Sequence, residues 1–377
     1  MQILKIFRNF RKMVTVYFVD AFCYNKTSFT FPKKEENLIM EYDIHIKNAI
    51  LHILDASINL PVLSNREIDI DGEISEFMEK HISKILDDTN IKNAKFNEDT
   101  NTMRDICQAI KTDEACFVEA SREIANTIFD IMLRNVDIVS GDLICCLVYI
   151  NNELHLGILK LNYKTGFTHY ISQAEDGSIN SIIRHKTLLP AEGQKIDEAI
   201  LISLESGEIR LLEKAYEING AKEFYLSQYF LNCTTDLSDS QKLKIIDKVT
   251  KKINKKYYDE DFEKVAKLKN VVSQSIEDNK EIRVDKIAEE MFETNLAVRD
   301  EYVQEIQKAG LIDESIQIPE KIVEKKFKTH KIKTDTGVEI NFPLSYYDNR
   351  DMIEFANNPD GSISIIIKNV SKIINKQ

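Results

Sequence analysis

The sequence is poor in glycine and cysteine, and it lacks the short motifs that most catalytic sites require. Only 11 of the 377 residues are glycine, and neither nucleotide-cradling loop, GxGxxG or GxxxxGK, occurs. A GxSxG nucleophile elbow and an HExxH zinc motif are absent as well. The seven histidines are scattered, and none stands beside a cysteine at metal-ligand spacing. We therefore predict that the protein is not an enzyme and holds no metal or cofactor.

Long apolar runs are also missing. No run approaches the roughly 18 consecutive apolar residues that a membrane-spanning helix needs, and 30% of the residues are charged. The six cysteines show no CxxC spacing and are too sparse for a secreted disulfide scaffold. We interpret the neighbours Cys145 and Cys146 as small buried strand residues rather than a redox pair. These features favour a soluble protein of the reducing cytoplasm without membrane contact.

The net charge of -12 is distributed unevenly along the chain. Residues 1–39 carry 7 basic and 3 acidic groups, residues 40–236 carry 18 and 33, and residues 237–377 carry 25 and 26. An acidic surface repels the phosphates of a nucleic acid. Any nucleic-acid contact is therefore predicted to be local and to lie after residue 237.

The first 39 residues form a basic, aromatic N-terminal extension. Asp20 interrupts its apolar run, and no small-residue cleavage pattern follows, which argues against a secretion signal. One alternative is an amphipathic arm that lies on a membrane or on nucleic acid. Another is that the segment is not native, because codons for Lys34, Glu35 and Glu36 can spell a purine-rich ribosome-binding sequence shortly before Met40. We hypothesise that Met40 is the natural start.

The spacing of apolar residues predicts an α+β fold. Short β elements over 44–54 and 60–70 are followed by apolar residues at three- and four-residue steps, which predict helices over 74–86, 103–110 and 113–135. From Ser140 onward the period is near two, which is typical of strands in a mainly antiparallel sheet. These strands are expected over 143–150, 154–163, 167–173, 179–189, 199–204 and 209–213. Helices that precede a sheet instead of alternating with it argue against a doubly wound nucleotide-binding fold.

Helical periodicity returns in the second half, and a polar break near Leu237 is the predicted domain boundary. Helices are expected over 224–232, 240–257, 262–277, 284–292 and 298–309, and a closing β region follows. The predicted organisation is an acidic α+β domain over 40–236 and a lysine-clustered helical domain with closing β strands over 237–377.

Lysines cluster on the helix predicted over 240–257. Residues 242–256 hold seven lysines against one acid, Asp247. Lys244, Lys248, Lys251 and Lys255 recur at the spacing that places side chains on one helical stripe, with Lys252 beside them. Such a helix could contact phosphates without reading sequence. The alternative is an ordinary solvated helix face.

A second lysine cluster precedes the closing strands. Its members are Lys321, Lys325, Lys326, Lys328, Lys331 and Lys333, which stand against Glu324. We predict that this cluster assists the first in binding DNA.

Two further patterns are weaker. Residues 284–290 and 298–310 resemble a helix-turn-helix pair, but Asp300, Glu301 and Glu305 make the second helix a poor surface for a DNA groove, so plain helical packing is preferred. His155 and His169 fall on adjacent predicted strands. They would be the first residues to mutate if the protein were an enzyme with an unrecognised site, although outward-facing polar strand residues explain them as well.

Several strings of residues resemble, in order and spacing, the bacterial thirty-seven-kilodalton nucleoid-associated protein family. The resemblance extends from Met40 to near the C-terminus. The strings are Ala49–Asp55 (AILHILD), Leu60–Ser64 (LPVLS), Leu156–Tyr163 (LGILKLNY), Leu189–Ala199 (LPAEGQKIDEA), Tyr216–Gly220 (YEING) and Pro359–Ile365 (PDGSISI). The resemblance implies a cytoplasmic protein of the bacterial nucleoid, with DNA as its partner and no enzymatic reaction. It supplies no DNA-reading motif.

The leading hypothesis is therefore nonspecific DNA association through the two lysine clusters. The alternative is a protein-interaction module that a partner protein recruits to the nucleoid, with the acidic residues 40–236 as its docking surface.

The start-site hypothesis makes a direct prediction. Mass spectrometry of the protein from its native host should find Met40, or the residue after it, at the N-terminus, because translation would begin there. Tryptic peptides from upstream of Met40 would contradict the hypothesis.

Overall fold

The computed structural model describes most of the chain after Glu41. The described residues are 42–97, 100–174, 177–258, 267–268, 271–272, 275, 281–293, 295–312, 315–317, 329–343, 346, 349–359 and 362–372. All of them belong to the unit Tyr42–Gln377. The predicted N-terminal extension and the hypothesised start, Met40, lie outside the described residues.

Helices and strands are mixed along the chain, which confirms the α+β class. The helices are α1 (Gly72–Leu86), α2 (Thr102–Thr112), α3 (Phe117–Arg134), α4 (Asp239–Tyr258), α5 (Val284–Met291) and α6 (Leu296–Lys308). The strands are β1 (Ile44–Leu54), β2 (Lys92–Phe96), β3 (Gly141–Ile150), β4 (Glu153–Asn162), β5 (Lys164–Ala174), β6 (Gly177–Leu188), β7 (Glu198–Ser203), β8 (Ile209–Leu212), β9 (Tyr216–Ile218), β10 (Ala221–Glu223), β11 (Cys233–Thr235), β12 (Glu281–Arg283), β13 (Ser315–Gln317), β14 (Thr329–Lys333), β15 (Glu339–Pro343), β16 (Ile353–Asn357) and β17 (Ile363–Ile367).

An antiparallel seven-stranded sheet organises residues 42–236, with the strand order β1-β3-β4-β7-β8-β2-β11. The strands predicted over 143–150 and 154–163 are confirmed, and they pair as the hairpin of β3 and β4. Its two turn residues, Asn151 and Asn152, have φ of 50° and 66°, the left-handed conformation of a type I′ turn, which asparagine tolerates. Cys145 and Cys146 are fully buried in β3, and burial raises the pKa of both thiols. They are thus inert strand residues, as the sequence predicted.

The sheet buries both of its faces. One face packs on α1 through Met78, Ile82 and Ile85. The other packs on α2 and α3, with Ile124 and Ile128 of α3 in that core. The helical period of these apolar residues therefore predicted the helices correctly. Within α1, the Asp71 carboxylate accepts a hydrogen bond from the Ile74 N–H at 2.9 Å and caps the first turn.

Some predicted elements differ from the structure. The β element expected over 60–70 is wrong, because its only strand-like pairing is an isolated bridge between Ile53 and Val62, and Pro61 cannot donate to a ladder. The helix expected over 224–232 is a single π-helical turn, Leu226–Phe230. The helix expected over 262–277 lies largely outside the described residues.

The hairpin of β5 and β6 extends beyond the seven-stranded sheet. It joins β4 to β7 and forms a separate two-stranded sheet. Tyr163 anchors its base, since its hydroxyl donates to the Asp142 carboxylate at 2.7 Å and its N–H donates to the Ser140 carbonyl at 3.1 Å. We call this hairpin, Lys164–Leu188, the β-arm.

A second hydrophobic core lies in the C-terminal half. It combines buried residues of α4, α5 and α6 with the two-stranded sheet of β12 and β13. The segment around Leu237 is hydrogen-bonded to the first sheet, because the Asp236 N–H donates to the Asn93 carbonyl at 2.8 Å and the Ser240 N–H donates to the Thr89 carbonyl at 2.9 Å. The domain boundary near Leu237 stays a prediction.

A buried histidine links β1 to α3. The His52 side chain is fully buried. Its Nδ1 accepts a hydrogen bond from the Ser64 N–H at 3.2 Å, so its proton lies on Nε2, which is 3.0 Å from Ser121 Oγ. Burial, together with the nearby Arg122, lowers the pKa of His52 to about 4. A proton on Nδ1 would point at the Ser64 N–H and find no acceptor there.

This histidine makes folding sensitive to acid. The folded pKa of about 4 lies below the unfolded value of about 6.5. The stability from neutral His52 is therefore fully present above pH ~6.5 and lost as the pH falls towards 4. Urea unfolding should show a slope of up to ~1.4 kcal/mol per pH unit from this one group.

The matched variants are His52→Gln and His45→Gln, the second at an exposed position of the same strand. His52→Gln should lower the free energy of unfolding by about 1–3 kcal/mol at pH 7, because its buried hydrogen-bond partners lose their geometry. It should also flatten the dependence of this free energy on pH between pH 6.5 and 4.5. An unchanged slope in His52→Gln, or the same change in His45→Gln, would contradict this account.

Candidate nucleic-acid interface

The lysine-bearing helix α4 begins at a capping box. The Ser238 hydroxyl accepts a hydrogen bond from the Gln241 N–H at 3.3 Å, and the Gln241 side chain accepts one from the Ser238 N–H at 2.9 Å. This reciprocal pair satisfies two backbone donors that a helix start leaves unpaired. The sequence thus fixes where α4 begins and which residues share a face.

One face of α4 is buried in the second core, and the opposite face carries the predicted lysines. Its buried apolar residues are Leu243, Ile246, Val249 and Ile253. The five predicted DNA-binding lysines of this helix are all exposed: Lys244, Lys248, Lys251, Lys252 and Lys255. The structure therefore places these five residues on one solvent-facing side of a single anchored helix.

Lys251 and Lys252 have carboxylate partners among the described residues. Lys251 Nζ lies 2.7 Å from the Asp247 carboxylate, one turn earlier. Lys252 pairs with Glu305 of α6, which lies across the helix pair. The hydrogen bonds from Lys252 and Lys308 lower the pKa of Glu305, which keeps this carboxylate charged. A phosphate would compete with these carboxylates for the two ammonium groups.

The neighbouring Lys256 also pairs with α6. Its Nζ lies 2.7 Å from the Glu301 carboxylate, and this contact raises the pKa of Lys256 and lowers that of Glu301. Lys244 and Lys248, nearer the start of α4, are different. Among the described residues, no carboxylate lies within ion-pair distance of either.

Only part of the second lysine cluster can be located. Lys321, Lys325, Lys326 and Lys328 lie outside the described residues. Lys331 and Lys333 are exposed two residues apart on β14, and Lys333 Nζ lies 3.1 Å from the Glu339 carboxylate on β15. Because Lys331 and Lys333 are two residues apart on a strand, their side chains lie on the same face.

The weak helix-turn-helix pattern corresponds to α5 and α6. α6 buries Val298, Tyr302 and Ile306, and the Tyr302 hydroxyl lies 3.1 Å from Thr250 Oγ1 of α4. Its Glu301 and Glu305 face the lysines of α4. This arrangement agrees with helical packing, since the second helix supplies acids to α4 and offers phosphates a poor surface.

The two histidines considered for catalysis belong to different sheets. His155 lies in β4 opposite Val148 and Ser203, and its Nδ1 lies 2.8 Å from the Glu153 carbonyl. His169 lies in the β-arm opposite Ile182. The expectation that they share one sheet was therefore wrong, because β5 leaves the main sheet after Tyr163.

A basic cavity in the acidic part of the chain was missed by the sequence analysis. It has a volume of 470 Å³ and lies between α2, the end of β2 and the turn after β7. Lys95, Arg104 and Lys111 line it, against a single carboxylate, Glu205, which lies 3.0 Å from Lys111 Nζ. The Arg104 guanidinium lies 5.4 Å from the centre of the Phe96 ring. The spacing of Arg104 and Lys111, which places them two helical turns apart on one face of α2, is the sequence pattern that could have predicted this basic lining.

Two kinds of site are absent from the described residues, a metal-binding cluster and a membrane-spanning helix. Within them, no three histidine, cysteine, aspartate or glutamate side chains are grouped so as to hold a metal ion. No helix in the described part of the chain has the length and apolar character needed to cross a membrane.

Comparison with known proteins identifies the family. No curated protein matches the chain. The family model described as nucleoid-associated protein YejK matches residues 50–375, which agrees with the resemblance of the ordered strings. Since this match covers most of the 377 residues, the chain belongs to the nucleoid-associated protein YejK family.

Proposed function

We propose that the protein associates with DNA without sequence preference, through Lys244, Lys248, Lys251, Lys252 and Lys255 of α4. The observation that carries the proposal is the exposure of all five lysines on one side of a helix whose other side is buried. A helix anchored in this way holds its ammonium groups in a row without ordering a loop on binding. Because the family is nucleoid-associated, DNA is the polyanion that we expect this row of lysines to bind.

Phosphate contacts by lysine explain binding without base readout. A lysine ammonium is a point charge that attracts phosphate oxygens, and phosphate contacts position a protein on DNA without carrying sequence information. Binding of this type releases counterions, so the affinity falls steeply as salt rises. No enzymatic step belongs to this function, and Lys331 and Lys333 of β14 would add contacts to it, as would the other lysines predicted at 325, 326 and 328.

The acids of α6 set an upper limit on this affinity. Glu305 and Glu301 hold Lys252 and Lys256 in ion pairs. A phosphate must displace these carboxylates, whereas it meets no described carboxylate at Lys244 and Lys248. The start of α4 is therefore the primary contact, and its later turns contribute less.

The alternative is a protein-interaction module recruited to the nucleoid by a partner. The excess of acids over residues 40–236 supports it, since a basic protein surface would be attracted there. A pull-down of nucleoid proteins that survives nuclease treatment would favour this alternative, and loss of all partners on nuclease treatment would favour direct DNA binding.

Removing two lysines at the start of α4 should weaken binding and its salt dependence together. In Lys244→Gln/Lys248→Gln, the slope of log affinity against log salt should fall by about 0.9 for each lost phosphate contact. Fluorescence anisotropy with a labelled random-sequence duplex between low and moderate salt measures this.

The control removes the same charge elsewhere. Lys195→Gln/Lys222→Gln alters two lysines outside α4 and should leave the slope unchanged. If both double variants lose affinity equally, or if the unmodified protein does not bind DNA at low salt, the α4 contact is wrong.

Neutralising the acids of α6 should have the opposite effect. In Glu301→Gln/Glu305→Gln, Lys252 and Lys256 lose their carboxylate partners and become available to phosphate, so binding at low salt should tighten several-fold and its salt slope should steepen. The control is Glu289→Gln/Glu290→Gln, which removes two exposed carboxylates of α5, the first of which pairs with Arg299 instead of an α4 lysine. Equal gains in both variants would show a general charge effect and not release of α4.

A further inference from the structure

The β-arm exposes large apolar side chains on both of its faces. In its antiparallel register, Phe167 and Ile182 lie on one face, and Tyr170 and Ile183 lie on the other. Phe167 is 75% and Ile182 79% exposed, and Tyr170 and Ile183 are exposed as well. Every residue of β6 is exposed. Neither face of the β-arm is therefore covered by the residues that the structure describes.

A two-stranded hairpin of this kind is marginally stable alone in water. The β-arm consists of strands of 11 and 12 residues, which at about 3.3 Å per residue extend it by more than 30 Å. A contiguous apolar surface of this kind marks an interaction site. Its covering surface must be apolar, since apolar side chains outnumber the charged ones on the described β-arm.

A matching apolar surface lies at the base of the β-arm on the same chain. It is formed by the end of α3 and by two loops, which are joined by a hydrogen bond of 3.0 Å from the Ala56 N–H to Ser140 Oγ. Val136 is 91% and Leu60 is 73% exposed there. We call this surface the base patch and define it by six exposed apolar residues: Ile58, Leu60, Val62, Leu133, Val136 and Val139.

The base patch and the β-arm belong to the same end of the seven-stranded sheet. Tyr163, at the start of the β-arm, donates its N–H to the Ser140 carbonyl, and Lys160 Nζ donates to the Val139 carbonyl at 2.7 Å. A surface next to the root of an arm is difficult for that same arm to cover. It is well placed for the β-arm of a second molecule that is related by a two-fold axis. Two identical contacts between arm and patch then form together, and they complete a closed dimer.

The charges of the two surfaces are complementary. The two strands of the β-arm carry three basic residues, Lys164, Arg184 and Lys186, and the acidic residues of the segment, Glu175 and Asp176, stand between the strands in the sequence. The helix end and loop of the base patch carry the exposed Asp130 and Asp137 against Arg134. Opposite charges around an apolar centre favour this pairing and fix its register.

We propose that the protein forms a dimer by reciprocal exchange of β-arms, in which the β-arm of each copy covers the base patch of the other. This interface is independent of α4 and of DNA binding. The apolar faces of the β-arm supply the buried centre, and Lys186 and Arg184 meet Asp130 and Asp137 at its rim.

The test is the molar mass of the full chain in solution, measured by light scattering after gel filtration and by sedimentation over a range of concentrations. The unmodified protein should have the mass of two chains. Phe167→Ser/Ile182→Ser in the β-arm and Leu60→Ser/Val136→Ser in the base patch should each give the mass of one chain. The matched control, Ile366→Ser/Ile367→Ser, removes exposed apolar residues of β17 and should remain dimeric.

A charge exchange keeps the proposal testable if an apolar variant misfolds. Lys186→Glu should raise the dimer dissociation constant at least several-fold, and Asp137→Lys combined with it should restore the dimer by returning one opposite pair. A monomeric unmodified chain at all concentrations, a dimer that survives all arm and patch variants, or arm variants that lose DNA affinity without a change in mass would each overturn the proposal.

Discussion

Burial of one apolar stripe of α4 is the interaction on which the functional account depends. Leu243, Ile246, Val249 and Ile253 lie in the second core with α5 and α6, and the burial of each such side chain stabilises the fold by about 1.5–3 kcal/mol. With these residues inside, the helical period forces the lysines between them to face solvent. The capping box at Ser238 determines where that period begins. The helical spacing of the apolar residues therefore determines both how α4 packs and where its lysines lie.

The carboxylates of α6 compete with phosphate for the lysines of α4. α6 packs on α4 through Tyr302 and supplies carboxylates to the later lysines. The proposed attraction for phosphate is therefore strongest at Lys244 and Lys248. Exposed ion pairs of this type are weak and easily displaced, which is compatible with the proposed nonspecific binding and release of DNA. The β-arm, which extends beyond the seven-stranded sheet, is a different surface, and its exposed apolar side chains favour a protein partner over phosphate.

The sequence predicted elements where apolar spacing was long and regular, as in α1, α3, α4 and the hairpin of β3 and β4. It missed β2, because its residues Lys92–Phe96 are mostly polar and only the fold explains them: Lys92 is buried against Glu213 at 2.8 Å. It predicted a strand over 60–70 from apolar residues that in fact lie on a loop, where Leu63, Ile68 and Ile70 pack against the two cores of the first sheet. The candidate site shows the same limit. The exposure of the lysines followed from helical spacing, but the ion pair of Lys252 with Glu305 joins residues far apart in sequence and could not be read from the local pattern.

The central claim is that α4 contacts DNA through the start of its lysine stripe, and lysine footprinting tests it most directly. The full chain is acetylated briefly with and without a saturating random-sequence duplex, and the modification of each lysine is quantified by mass spectrometry. The account predicts that DNA protects Lys244 and Lys248 strongly and Lys251, Lys252 and Lys255 to a smaller degree, while Lys195 and Lys222 react as before. Unchanged reactivity along α4 in the presence of bound DNA would contradict it.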